Sequence, residues 1–266
     1  MSDTTKRRWA RHCLRVQDAA MLAAFYREQL GMTDFGTPSR PLLGYDPAQC
    51  LLELRDDATA PYQAGARDFY WKIGLTLRDL VPAVAALRAQ GWQVSEPRQF
   101  RDIGYLCHLR DPEGFAIELL QQGFEGRARP AGPGHPVGGQ ATFAHITLRV
   151  SDIAAARAFC EDRHGLRLMS IQPVPERAFT LYFYAWNQES LPDPALTAVG
   201  NREWLWARPY SLLELQHLEN GDAVRPPDPD RAGFAGIAFD DNGDLTYVEA
   251  ADMAALWGAS GESRSS

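Results

Sequence analysis

The chain has 266 residues, 45% of them hydrophobic and 23% charged, enough for one large domain or two of ordinary size. Its formal charge of −7 argues against the clustered Lys and Arg that nucleic-acid binding needs, so a small molecule is the expected partner. No run of about 18 apolar residues occurs, and the polar start leads into no apolar segment, so neither a membrane span nor a signal peptide is expected and the cytoplasm is the expected location. The four cysteines, Cys13, Cys50, Cys107 and Cys160, stand singly, with no Cys-x-x-Cys spacing for zinc or redox work, and read as buried free thiols.

In chain order, a short strand over 12–16 runs into a helix over 18–29, with Asp18 as its N-cap, Gly31 as its stop, and Leu22, Phe25, Tyr26 and Leu30 on one face. Strands follow near 44–45 and over 51–54. A second round starts with a strand over 70–77 and a helix over 79–90, then strands near 93–94 and over 105–109 and 115–120. The turn Asp111-Pro112-Glu113-Gly114 joins the last two. The segment 123–140 is dense in Gly and Pro and lacks either hydrophobic period, so it reads as a linker.

After the linker the opening recurs: a strand over 145–150, a helix over 152–162, and strands over 179–186 and 211–217. A fourth round is cut short, with a strand over 235–239, a turn at 240–243, a strand over 244–249 and a helical piece to Trp257. The repeat is visible in the letters, because Leu14-Arg15-Val16-x-Asp18 returns as Leu148-Arg149-Val150-x-Asp152. The expected organisation is a domain over 7–122, a linker over 123–142, a second domain over 143–257 with a truncated last module, and a disordered tail over 258–266.

These βαβββ rounds, with the Ala-Phe-Tyr helix ending at Gly and the close Asp111-Pro-Glu-Gly-Phe-Ala-Ile-Glu118, resemble the vicinal oxygen chelate superfamily of glyoxalase I, extradiol dioxygenases and bleomycin-resistance proteins. The resemblance implies an α+β fold of repeated modules forming two open, cup-shaped mixed β-sheets with flanking helices. It also implies up to four metal ligands on the inner face of a cup. The second half is most similar to glyoxalase I, through His145-Ile-Thr-Leu-Arg-Val, Phe179-Thr-Leu-Tyr-Phe-Tyr-Ala-Trp and Leu212-Leu-Glu-Leu-Gln-His217.

Strand side chains alternate faces, so register decides which donors can reach a metal. The resemblance places His145 and Glu214 at the first two ligand positions of the second half. Gly236, with no donor, falls at the third, and Glu249 is the candidate for the fourth. In the first half the matching set is Arg11, Glu53, Lys72 and Glu118. His12 lies one residue out of step with His145 and should turn to the other face. Two cations and two carboxylates can neutralise one another, so the first half is expected to be metal-free.

The expected metal ligands are therefore His145 and Glu214, holding a divalent ion (Zn, Ni, Mn or Fe). Glu214 or Glu118 would be the carboxylate that moves a proton, and Arg149 the substrate-binding cation. An arrangement in which modules pair across the halves would instead gather His145, Glu214 and Glu118. The implied function is a metal-dependent lyase or isomerase of the glyoxalase type acting on a small oxygenated substrate. Glutathione fits poorly, since Leu218 and Ala232 stand where the family's Asn and Arg contacts are expected. The alternative is a non-catalytic small-molecule-binding protein, its cups lined by aromatics such as Trp71, Tyr105, Tyr182, Tyr184 and Trp204. An extradiol dioxygenase needs a His where Gly236 stands. Exchange of modules between chains would cover open sheet edges, which makes a homodimer the expected assembly.

Overall fold

A computed structural model describes residues 7–132 and 134–257; the tail over 258–266 lies outside the described residues. Three rounds open alike. Strand β1 (Arg8–Val16) leads into helix α1 (Ala19–Glu28), β5 (Tyr70–Leu77) into α2 (Leu80–Ala89), and β9 (Thr142–Val150) into α3 (Ile153–Arg157) with a π-helical turn over Ala158–Arg163. The aspartate after each first strand caps the helix. Asp18 accepts from Met21 N at 2.8 Å, Asp79 from Val81 N at 3.1 Å, and Asp152 from Ala154 N at 2.9 Å.

The remaining strands of the first round are β2 (Thr33–Asp34), β3 (Leu42–Gly44) and β4 (Leu51–Asp56). Those of the second are β6 (Arg98–Phe100), β7 (Gly104–Arg110) and β8 (Ala116–Gln121). The third adds β10 (Arg167–Val174), β11 (Phe179–Ala185), helix α4 (Gly200–Trp206) and β12 (Leu212–Leu218). The fourth has only β13 (Gly233–Asp241), β14 (Asp244–Glu249) and a 3-10 segment. Three elements were not legible as such, and β2 is one of them because it spans only two residues. β10 buries polar Ser170 and Gln172 and carries Pro173, so no apolar alternation marks it, and α4 is a single short run of mixed residues. The strand expected near 93–94 forms a few residues later, as β6.

The strands make two sheets, ordered β14-β13-β1-β4-β3-β2 and β10-β11-β12-β9-β5-β8-β7-β6. Each sheet therefore takes strands from both sides of the linker. Cups closing separately within 7–122 and 143–257 are not what forms. First strands pair antiparallel across the halves, β1 with β13 and β5 with β9, while each holds a later strand of its own round in parallel, β1 with β4, β5 with β8 and β9 with β12. The linker carries the chain straight from β8 to β9, setting the third round beside the second and leaving the shortened fourth to complete the first. The module pairing is intramolecular, so completing the sheets needs no exchange of modules between chains; the outer strands are β14 and β2 in one sheet and β10 and β6 in the other.

One apolar core joins the two sheets. It contains Leu14, Leu52 and Ile237 from the six-stranded sheet, Ile73, Ile146 and Leu213 from the eight-stranded sheet, and Leu22 and Tyr26 of α1. His12 belongs here, fully buried with its ring 5.6 Å from that of Phe234 and 5.2 Å from that of Tyr70. Burial brings its pKa down to about 3, which keeps it neutral in this apolar setting. A second apolar cluster, including Leu106, Phe179, Phe183 and Trp206, lies inside the eight-stranded cup.

The Asp-Pro-Glu-Gly turn ties the second round to the first. Glu113 accepts from the backbone N–H groups of Gln17 and Asp18, and Asp111 accepts from the Tyr26 hydroxyl at 2.9 Å and from Phe115 N at 3.0 Å. Burial pushes the Asp111 carboxyl up to about 7, against the pull of those hydrogen bonds. A carboxyl whose pKa is higher folded than unfolded adds stability at low pH, and that contribution is lost as pH rises from the unfolded value toward 7. Asp111→Asn is accordingly expected to flatten the pH dependence of the urea midpoint between pH 4.5 and pH 7.5. A mutant curve parallel to the wild type across that window would show that Asp111 does not titrate there.

Candidate ligand site in the eight-stranded cup

Register places four polar side chains on the inner face of the eight-stranded cup. Glu214 on β12 stands beside Thr147 of β9, His145 beside Gly74 of β5, and Gly74 beside Glu118 of β8. Lys72, two residues before Gly74, points to the same face. The close approach needs the glycine: a Cβ at position 74 would lie 2.0 Å from His145 Cε1.

The four groups converge at hydrogen-bonding distance. Lys72 Nζ lies 3.1 Å from Glu118 Oε1, 3.2 Å from Glu214 Oε2 and 3.1 Å from His145 Nε2. His145 Nε2 is 3.2 Å from each of the same two carboxylate oxygens. Lys72 is only 2% exposed and the other three are buried with it. Thr147 donates to Glu214 at 3.0 Å, and His108 Nε2 sits 3.1 Å from the second oxygen of Glu118. The ammonium has three protons and three acceptors around it. When His145 Nε2 is one of them, the ring proton sits on Nδ1, which is buried without a partner.

The electrostatics agree with a charged lysine. Burial would lower the Lys72 pKa, but the Glu118 and Glu214 carboxylates outweigh it and hold the ammonium above the ordinary lysine range. Burial would likewise raise Glu118, yet Lys72, His108 and His145 together hold it well below the usual carboxylate range.

The two expected quartets are thus regrouped. His145 and Glu214 share the eight-stranded cup with Lys72 and Glu118, whereas Arg11, Glu53, Gly236 and Glu249 fall to the six-stranded sheet. There Glu53 is fully occupied, accepting from Arg40 at 2.5 Å, Arg55 at 2.9 Å and the Tyr247 hydroxyl at 2.8 Å, while Arg55 also pairs with Glu249. Burial would raise the Glu53 carboxyl; its three hydrogen bonds win and hold it low. Gly236 has φ +153° and a Cβ there would meet Val248 O at 2.5 Å, so this position has room for no donor.

A divalent ion does not fit the cup with these residues as they stand. Among the described residues no group of three or more His, Cys, Asp or Glu side chains is arranged to hold a metal. In the eight-stranded cup the reason is visible: the fourth vertex of the cluster is an ammonium, which has no lone pair to give and whose charge repels a cation.

Above the cluster lies a cavity of about 80 Å³. Its walls are Phe100, Leu106, Phe179, Leu181, Phe183 and Trp206, and Arg98 and Arg177 stand exposed at its solvent side. The indole of Trp206 donates to Ile103 O at 2.9 Å, which fixes the ring. Trp71 lines this space, but Tyr182 and Tyr184 do not: on β11 the odd positions 179, 181 and 183 face the cavity, and Tyr184 turns into the core shared by the sheets. Tyr105 packs on that same core, and Trp204 lies under Arg208 at 4.4 Å, outside the cavity. Arg149 is on the β9 face of His145 but is already engaged. It donates to Gln216 at 2.9 Å and to the carbonyls of Gly65 and Asp68, its guanidinium lies over Trp71, and burial brings its pKa down to about 10. His108, Thr147, Phe183, Trp206, Arg98 and Arg177 complete the site without having been assigned to it by sequence, whereas Lys72 and Glu118 were expected together in the first-half set.

This architecture has known counterparts. Residues 9–119 match the model of the Glyoxalase/Bleomycin resistance protein/Dioxygenase superfamily. Glyoxalase I from Zea mays superposes over 88% of this chain and 74% of its own, with a TM-score of 0.63 at 19% identity. The chain has the vicinal oxygen chelate fold. A putative dioxygenase from Bacillus subtilis subsp. subtilis str. 168 superposes over 83% of this chain and 66% of its own, with a TM-score of 0.51 at 14% identity. No curated protein matches the sequence. The vicinal oxygen chelate cup is the surface on which the buried cluster sits, and among the described residues no helix is long and apolar enough to cross a membrane.

Proposed function

We propose that this vicinal oxygen chelate protein is a metal-independent small-molecule binder. Its eight-stranded cup takes a compact molecule with an apolar body and an acidic group. One observation carries the reading: a cavity walled by Phe179, Leu181, Phe183 and Trp206 opens past two guanidiniums, Arg98 and Arg177, that among the described residues have no carboxylate partner. Arg177 rests only on the Phe100 ring, 4.9 Å from its centroid. An apolar wall recognises area, and fixed cations at the rim select the sign of charge. The volume would hold roughly two or three waters, which sets the inserted part at the size of a small ring or branched chain.

Trp206 and Trp71 provide the readout. Phenylacetate is expected to quench tryptophan fluorescence saturably, and 2-phenylethanol, its neutral analogue, to bind more weakly. The double variant Arg98→Gln, Arg177→Gln is expected to lose about tenfold in phenylacetate affinity, near 1.4 kcal/mol. Equal affinities for the acid and the alcohol, or no saturable signal, would refute the proposal.

A second reading, the metal-dependent glyoxalase-type lyase, is favoured by one observation: Glu118, His145 and Glu214 do converge, at 3.2 Å spacing. In that reading Glu214 or Glu118 moves the proton and His145 and Glu214 hold the ion. It requires turnover of the methylglyoxal hemithioacetal that depends on added Zn²⁺ or Ni²⁺ and disappears in His145→Ala.

A further inference from the structure

We propose that Lys72 is a resident cation that stands in for the metal ion of this cup, and that it alone keeps a divalent ion out of a geometry of donors that could otherwise hold one. The inference rests on reading the eight-stranded cup as the ligand site and deepens it by saying how that site does without a metal.

The donor set supports it first. Three lone-pair donors, Glu118 Oε1, His145 Nε2 and Glu214 Oε2, lie 3.1–3.2 Å from Lys72 Nζ, and both carboxylates lie 3.2 Å from the imidazole nitrogen. Bonds of about 2.0–2.2 Å from N and O ligands to a transition ion place neighbouring ligand atoms at about this separation. The cluster therefore has the spacing of a coordination polyhedron, with an ammonium at one corner.

Strand pairing supports it independently. β5 and β9 are antiparallel first strands, with Lys72 opposite Thr147 and Gly74 opposite His145. That pairing relates Lys72 to His145 across a local two-fold, so Lys72 occupies a donor position by register and not as an incidental neighbour. The parallel partners obey the same relation, Gly74 beside Glu118 and Thr147 beside Glu214.

Charge completes the argument. Two buried carboxylates need compensation, and the alternatives are a bound cation or a tethered one. Lys72 is tethered, and among the described residues no carboxylate other than Glu118 and Glu214 is paired with it. A lysine-held cup is occupied in every molecule, does not depend on metal supply, and leaves a divalent ion neither a free corner nor the net charge to attract it.

Lys72→Gln tests this, because glutamine is neutral, nearly as long, and carries an oxygen lone pair. Wild-type protein, freed of chelator and incubated with Zn²⁺ or Co²⁺, is expected to retain no stoichiometric ion. Lys72→Gln is expected to bind close to one equivalent, to show the visible absorption of a low-symmetry Co²⁺ site, and to gain thermal stability on adding Zn²⁺. Lys72→Gln, His145→Ala is expected to lose all three. The double variant Lys72→Gln, Glu118→Gln keeps the wild-type charge balance, guards against a single variant that does not fold, and is expected to bind the same ions more weakly.

Stoichiometric metal in the wild type that vanishes in His145→Ala would overturn the inference. So would absence of metal from a folded Lys72→Gln or from a folded Lys72→Gln, Glu118→Gln. Phenylacetate binding to the wild type is read without metal, so failure of the ligand-binding proposal and failure of this one give different results.

Discussion

Lys72→Met is expected to destabilise the protein by about 3–5 kcal/mol, the usual cost of removing one partner from a buried charge cluster. For a chain of this size that corresponds to a fall on the order of 10 °C in the thermal midpoint. The size of the effect follows from what is left behind. Glu118 and Glu214 are almost fully buried, and without the ammonium their compensation falls to Thr147 and the two histidines. The contrast is the triple variant Lys72→Met, Glu118→Leu, Glu214→Leu, which removes the charges together and should recover most of the loss. Differential scanning calorimetry of the two variants at pH 7 separates the cases. A single variant within 1 °C of wild type would mean the carboxylates are solvated or protonated, and the charge-compensation account would fail.

The parts of this fold that were legible in the sequence are those set by local chemistry. Asp18 caps α1, the 70–77 and 145–150 strands form, and the Asp111 to Gly114 turn closes its hairpin, because caps, alternation and turn residues act within a few positions. Register also carried information at a distance: comparing the repeated Leu-Arg-Val-x-Asp units separates His12, now in the core, from Arg11 and His145. Partner choice was not legible. A βαβββ round leaves one edge of its first strand open, and nothing in the letters around Lys72 and Gly74 says whether β5 will meet β1 or β9. That single pairing decides whether Lys72 shares a cup with Arg11 and Glu53 or with His145 and Glu214. The aromatic lining failed for a smaller reason, since Phe179-Thr-Leu-Tyr-Phe-Tyr is apolar on both faces and offers no parity; the residues lining the cavity put the phenylalanines on its side.

The same pairing predicts how the chain behaves when cut. Each half contains a first strand whose antiparallel neighbour lies in the other half, β1 with β13 and β5 with β9, and the core they bury is continuous across both sheets. A protease site inserted between Arg129 and Pro130 is therefore expected to give a nicked protein whose two pieces co-elute, with a thermal midpoint that now depends on protein concentration. The pieces expressed alone would each expose two long unpaired strand edges and the apolar faces behind them, and are expected to aggregate or to unfold without a cooperative transition. Mixing them should restore the Trp206 environment, because its cup needs β7 and β8 from one piece and β11 and β12 from the other. A sharp, monomeric thermal transition from either piece by itself would show that the strands can re-pair within a half, and would move Lys72 out of the neighbourhood of His145.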